Sequence, residues 1–231
     1  MFLDKWYGIL AFVLFDIVAL IAVIAITYRW LFKRILDFLV SGLLLIVLSP
    51  LFLYAILTGS AAKKRGEIER IFQTKTFIGK KGKRIRLHFL NASAEHSAPF
   101  KKLPLLADVF LGKLSFIGYT PFTISDAEFL DEDEEERYIV RPGLINPLVC
   151  GGSATTDYDE MLQSDKKYAN TCGLFKDCKL FLVWLLKKIR GEGKEYLGTT
   201  LQTSYAQSLL NDERITKADY DAALEYEQAE N

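Results

Sequence analysis

Residues 33–59 read KRILDFLVSGLLLIVLSPLFLYAILTG, and how this stretch meets a bilayer decides the fold. Between Ile35 and Gly59 its one charge is Asp37. As a helix those residues extend about 37 Å, enough for a hydrocarbon core of roughly 30 Å. The flanks argue against a simple crossing. Arg29, Lys33 and Arg34 precede the apolar run and Lys63, Lys64 and Arg65 follow it, and basic residues favour the cytoplasmic side. A segment with two cytoplasmic ends has to enter and return. Ser49-Pro50 supplies the break near its middle, because proline lacks the helical N–H and clashes with the preceding turn, at about 3 kcal/mol in a helix interior. The carbonyl so freed needs a donor at membrane depth, and the Ser49 hydroxyl is adjacent. The expectation is a re-entrant helix, break and helix over 31–59, with a kinked spanning helix as the competing reading.

Upstream, positions 6–28 (WYGILAFVLFDIVALIAVIAITY) again hold a single charge, Asp16. No small-x-small cleavage pattern follows and the run is longer than a signal-peptide core, so residues 1–30 are read as a transmembrane helix rather than a cleaved leader. A span followed by a re-entrant segment puts the amino terminus outside and everything after residue 60 in the cytosol. Asp16 lies mid-span, where a charge costs roughly 2.5–3.5 kcal/mol. It is read as a contact to a partner subunit, against the alternative of a neutral acid.

The whole chain has 231 residues, 29 Lys+Arg against 29 Asp+Glu, and 50% hydrophobic residues. That composition excludes a disordered chain, and zero formal charge gives no footprint for a nucleic-acid partner. The zero is a sum of unlike blocks. Residues 60–103 carry twelve Lys/Arg against three Glu, a net of +9, which beside a membrane segment faces anionic headgroups or ligands. Within that block, Ile78-Gly79-Lys80-Lys81-Gly82-Lys83 reads as a turn between short strands, with Ile85, Leu87 and Phe89 alternating behind it. A Gly-rich turn with lysines suits phosphate, although it lacks the Walker spacing. Residues 126–136 reverse the sign with eight acids and no base, and read as solvated helix surface or linker.

Residues 174–190 gather apolar positions around Trp184, too few to span, and read as a helix against the membrane or the core. The tail from 191 holds nine acids and three bases, and Thr216-Lys-Ala-Asp219 is a capping-box pattern. It reads as a surface appendage. Cys150, Cys172 and Cys178 form no CxxC pair and read as reduced thiols, while His88 and His96 have no companions for a zinc site. The expected fold is α/β (α+β) and membrane-associated. Residues 60–193 form a cytosolic mixed domain with amphipathic membrane-surface helices, and 194–231 an acidic helical tail.

Several stretches together resemble the bacterial sugar transferase family, the monotopic phosphoglycosyl transferases. They are Lys33-Arg34-x-x-Asp37 with Ser41 and Ser49-Pro50, then Leu103-Pro104 through Asp108, Gly112, Ser115 and Gly118, then Val140-Arg141-Pro142-Gly143-Leu144, and finally Tyr158 to Gly193. The resemblance covers roughly residues 31–193. It implies anchoring by a re-entrant helix in the bacterial cytoplasmic (inner) membrane and transfer of a sugar 1-phosphate from a nucleotide sugar to polyprenol phosphate. It also implies an Asp-Glu pair just before the Leu-Pro, with the Asp as nucleophile and the carboxylates helping to hold Mg²⁺.

In this chain Lys101-Lys102 occupy that place. A protonated ammonium has no lone pair to attack with and cannot serve as a hard anionic oxygen ligand, though it can clamp phosphate as a point charge. The family's Lys-Phe-Arg falls on Phe89-Leu90-Asn91 and its Gly-Pro-Arg-Pro on Gly118-Tyr119-Thr120-Pro121, so two further cations are replaced. The segment between Asn91 and Leu103 is also shorter than the family's. The resulting expectation is a transferase-like protein without transfer chemistry, needing no cofactor. Its phosphate-binding candidates are Lys101, Lys102, Arg141 and Gly143, and its expected partners are membrane lipid, polyprenol phosphate and an active transferase or assembly protein in a homo- or hetero-oligomer. The alternative is an active transferase using Mg²⁺, with Asp108, Lys101, Lys102 and Arg141 in its site.

Overall fold

In the computed structural model, which describes residues 6–54, 72–90, 103–148, 157–190 and 204–230, the first apolar run is helix α1 (Trp6–Thr27). It contains a window, Trp6–Val23, long and apolar enough to cross a membrane and only 6% buried against the rest of the chain. Asp16 is exposed on it. The sequence expectation placed a boundary at residue 30, but Tyr28–Phe32 (YRWLF) contains no helix breaker. It continues as a π turn, in which the Lys33 N–H bonds the Tyr28 carbonyl, into α2 (Lys33–Val47). α1 and α2 are one helical run.

The run breaks where proline requires it. Leu48 leaves helical geometry at φ −90°, ψ 3°, and helix resumes over 49–54. Pro50 has no N–H for the Ile46 carbonyl, and Ser49 Oγ donates to that oxygen instead at 2.8 Å. The second half of the expected re-entrant segment beyond residue 54, and the basic flank at Lys63, Lys64 and Arg65, lie outside the described residues. α2 buries Lys33, Asp37 and Ser41, four residues apart on one face. Its other faces expose Leu36, Leu39, Val40, Leu43, Ile46 and Val47.

Strands β1 (Phe72–Ile78) and β2 (Arg84–Leu90) pair antiparallel, with Thr74 opposite His88. As the alternation predicts, Ile85, Leu87 and Phe89 face one way, onto Leu105 and Val109 of α3 (Leu105–Phe110) and onto Leu114. β3 (Ser115–Ile117) pairs in parallel with β4 (Gly143–Ile145). The crossover between them carries α4 (Ile124–Ala127) and a 3₁₀ helix, Glu134–Ile139. The two backbones touch where this sheet begins. A Cβ on Gly143 would lie 2.1 Å from the Gly118 nitrogen, so only glycine fits there.

α5 (Tyr158–Thr171) and α6 (Leu174–Ile189) complete this layer, α5 burying Tyr168 and Ala169 and α6 packing Leu180, Val183 and Trp184 against them. The other side of α6 leaves Phe175, Leu182, Leu185, Leu186 and Ile189 exposed, so the helix lies on the core with a bare apolar face.

Over its described residues, 204–230, the acidic tail carries two helices and packs on the domain rather than standing apart as a surface appendage. α7 (Tyr205–Asn211) buries Tyr205, Ala206 and Leu209, and the Tyr205 ring stacks on Phe122 with centroids 5.4 Å apart. α8 (Lys217–Glu230) is fixed by Glu227 accepting from Ser125 and by a 2.6 Å pair between Arg84 and Glu230. Net acidity hid a few aromatic and small residues that suffice to dock it. The capping box forms, with Asp219 N–H donating to Thr216 Oγ1 at 3.3 Å and Thr216 N–H to Asp219 Oδ2 at 3.3 Å. The acidic run is exposed apart from Asp126 and the partly buried Glu134. Asp126 is buried and accepts the Ala206 N–H at 3.0 Å.

Candidate functional site

The β1–β2 turn is closed by Gly79 N–H donating to the Lys83 carbonyl at 2.7 Å. Lys81 and Gly82 both take left-handed geometry, at φ 59° and 68°. Glycine adopts that conformation freely and lysine does not. The turn throws Lys80, Lys81 and Lys83 to one side, where with Ile85, Gly112, Lys113 and Arg141 they line a cleft of about 360 Å³. Five of its seven lining residues are cationic and none is acidic.

One of the cations is positioned by a buried group. Lys113 Nζ donates to Asp108 Oδ1 at 2.9 Å and to the Arg86 carbonyl at 2.8 Å. Arg141 precedes β4 and is half-buried. Burial, and next the neighbouring Arg34 guanidinium, hold its pKa below the ordinary arginine value, with Asp37 acting in the opposite sense. Five cations around one cleft with no acid among its lining residues favour an anion. Arg34 itself is committed. It donates to the Val109 and Phe110 carbonyls at 2.8 and 2.6 Å, capping the C-terminus of α3 where cations are favoured. Gly112, at φ +84°, leaves the room this needs, since a Cβ there would lie 2.8 Å from the guanidinium.

The sequence candidates divide on this geometry. Arg141 enters the cleft. Gly143 does not, because it is buried and its N–H is used by the Tyr119 carbonyl at 2.9 Å; it is a close-packing glycine. Asp108 is fully buried and already accepts from the His88 N–H, His88 Nδ1 and Lys113, each at 2.9 Å. It orients cations and presents no free oxygen face to a substrate. Lys101, Lys102, Cys150 and His96 lie outside the described residues. The Mg²⁺ implied by the family finds no fit in this cleft, whose lining has cations where a divalent ion needs oxygen anions.

Lys33 and Asp37 of the Lys33-Arg34-x-x-Asp37 motif tie α2 to the domain. Lys33 Nζ donates to the Ile117 carbonyl at 2.9 Å, to Tyr168 Oη at 2.5 Å and to Asp177 Oδ2 at 2.7 Å. Asp177 also accepts from Tyr28 at 2.8 Å and from Tyr168 at 2.6 Å. Asp37 takes the Phe116 N–H at 3.1 Å. Sequence reasoning missed Tyr28, Tyr168 and Asp177 as partners. A signal existed in Asp177, an acid in the first turn of a helix otherwise basic and apolar.

It also missed Arg137, fully buried with its guanidinium 4.1 Å from the Phe122 ring centroid and 4.7 Å from that of Tyr119. Arg137 donates to the Thr120 carbonyl and pairs with Asp165 at 3.2 Å. Burial pushes the Asp165 carboxyl up to about 6, against the opposing pull of Arg137, the Thr120 N–H and Asn146.

Residues 96–191 match the family model described as Bacterial sugar transferase, a stretch that takes in the motifs from Leu103 onward and does not reach Lys33 to Pro50. The chain is also similar to the Galactosyl transferase CpsE of Streptococcus agalactiae serotype III (strain NEM316). It is 28% identical to that protein over 93 residues, which are 40% of this chain and 21% of the relative. The matched stretch thus spans about one fifth of that relative's length.

Proposed function

We propose that the protein is a sugar-transferase-like membrane component of bacterial polysaccharide or glycoconjugate assembly, without transfer chemistry of its own, that serves as a structural or regulatory partner of an active transferase. The observation that carries the proposal is Lys101-Lys102 at the place of the family's Asp-Glu pair, directly before Leu103-Pro104. The family match and the galactosyl transferase relative support the class. The exposed apolar α1 and the bare face of α6 support attachment to the cytoplasmic membrane, and the proline break after α2 supports a re-entrant segment with the domain in the cytosol. The cationic cleft suits the phosphate of a nucleotide sugar or of polyprenol phosphate, held without turnover.

The alternative, an active phosphoglycosyl transferase, needs an acid to attack phosphorus. The acid it would draw on, Asp108, is fully buried and already accepts three hydrogen bonds. The test is transfer by the purified protein with nucleotide sugars, polyprenol phosphate and Mg²⁺, beside identification of what co-purifies from native membrane in mild detergent. Absence of product alone and recovery of an active transferase in the complex are expected. Turnover by the isolated protein overturns the proposal, and if it falls to background in Asp108→Asn the alternative stands. Topology is tested separately: a cysteine at residue 3 should label from outside intact cells and one at residue 62 should not.

A further inference from the structure

Lys113 belongs to two settings at once. It lines the cationic cleft, and its Nζ donates to Asp108 Oδ1 at 2.9 Å and to the Arg86 carbonyl at 2.8 Å. The same Oδ1 holds His88 Nδ1 at 2.9 Å, and Oδ2 accepts the His88 backbone N–H at 2.9 Å. One buried oxygen therefore serves an ammonium and an imidazole together. The Asp108 side chain is fully buried, while those of Lys113 and His88 are 28% and 41% exposed. Solvent and ligands reach Lys113 and His88 but not the acid between them.

Taking the cation out of a buried pair strands the carboxylate, and the stranded charge is the larger part of the cost. An anion in the cleft draws Lys113 Nζ towards itself, so the Asp108 charge must be answered by another group. His88 is already in place. A carboxylate oxygen only accepts, so Nδ1 is the nitrogen that carries the proton of the neutral ring, and a second proton goes to Nε2. Imidazole changes charge between pH 5 and 8. The charged groups around His88 are Arg86, two residues along the same strand, Asp108 on α3, Lys113 after it, and Lys75 on β1 beside the paired Thr74. Arg34 of α2 is held farther along α3 by the Val109 and Phe110 carbonyls. Of these Asp108 attracts a proton to the ring and the cations oppose it, so the departure of Lys113 tips the balance towards protonation.

We propose that the cleft binds its anion together with a proton: Lys113 turns from Asp108 to the anion, and His88 takes up a proton from solvent to pair with the carboxylate that Lys113 leaves. The proposal rests on the cleft being an anion site and not on the absence of transfer chemistry. Because binding takes up a proton, the anion is held more tightly as pH falls.

Sulfate is the probe, since it stays a dianion from pH 6 to pH 8 and adds no titration of its own. The full chain in nonionic micelles is titrated with sulfate by isothermal calorimetry at constant ionic strength, at pH 6, 7 and 8, in paired buffers of different ionisation enthalpy. Affinity should fall about tenfold from pH 6 to pH 8, and the difference in heat between paired buffers at pH 7 should report net proton uptake. In His88→Gln the pH dependence and the uptake should both be lost. In Lys113→Met binding should weaken and the remaining affinity should no longer vary with pH, because no ammonium leaves Asp108. Wild-type binding that is independent of pH and takes up no proton overturns the proposal and leaves the anion site standing. So does a pH dependence undiminished in either variant. Absence of sulfate binding at all three pH values overturns the anion site and the proposal together.

Discussion

Lys33→Met removes the ammonium at the centre of the docking network and keeps the aliphatic stem. Lys33 makes three hydrogen bonds, at 2.9, 2.5 and 2.7 Å, and its side chain and that of Asp177 are each 9% exposed. Without it the Asp177 carboxylate stays buried with two tyrosine hydroxyls and only the neighbouring Lys176 as a counter-charge that makes no direct ion pair with it. Breaking one side of such a pair costs about 3–5 kcal/mol, mostly through the stranded charge. At about 2–4 °C per kcal/mol for a chain of this size, melting should fall by roughly 6–20 °C, read by near-ultraviolet circular dichroism in detergent. The charge-based reasoning makes a sharper demand of the double variant. In Lys33→Met with Asp177→Asn the stranded carboxylate is gone while an amide oxygen still accepts from Tyr28 and Tyr168, so the double variant should melt above Lys33→Met alone. A drop below about 1 kcal/mol in the single variant, or a double variant less stable than the single, would refute the buried pair as the tie between α2 and the domain.

Gly112→Ala combines a left-handed φ of +84° with a Cβ 2.8 Å from the Arg34 guanidinium, and should cost about 1–3 kcal/mol in the same melting assay. Because both changes cut one cap, its effect should not add to that of Arg34→Ala. Asp165, raised to about 6 in the fold from the ordinary 3.8, binds its proton more tightly folded than unfolded. Wild type should therefore gain stability over Asp165→Asn as pH falls from about 7 through 6 towards 4. Melting temperatures of both proteins across that window check the sign, and parallel curves would contradict it.

The N-terminal helical run was legible because its signals are local. One proline, one serine and two runs of apolar residues gave the break at Leu48 and the compensating Ser49 bond directly. The β1–β2 hairpin followed from two glycines and a period of two. What stayed hidden depends on partners far apart in sequence. Lys33 and Asp177 are separated by 144 residues, and no pattern within either stretch says that they meet. The same holds for Tyr205, whose burial against Phe122 is invisible in a segment whose acids outnumber its bases by three to one. Gly143 shows the converse error. A glycine in an Arg-Pro-Gly run looks like a phosphate loop until the opposing backbone of Gly118 is seen to occupy its space.

Arg34 joins the cleft to α2, and this makes the two thermodynamically inseparable. It leaves α2 to cap α3 through the Val109 and Phe110 carbonyls, and its charge is one reason the Arg141 pKa is depressed. An anion bound by Arg141 neutralises that repulsion and so favours the docked position of α2. By reciprocity the docked helix must raise the affinity for the anion by the same factor. Inorganic pyrophosphate is the simplest probe: it should slow amide hydrogen exchange along residues 33–47 in wild type, and in Arg141→Ala both the binding and the slowing should weaken, binding by roughly tenfold for one lost charge-assisted contact. Saturable binding with unchanged exchange in α2 would disconnect cleft from anchor. Slowing that persists undiminished in Arg141→Ala would place the anion elsewhere.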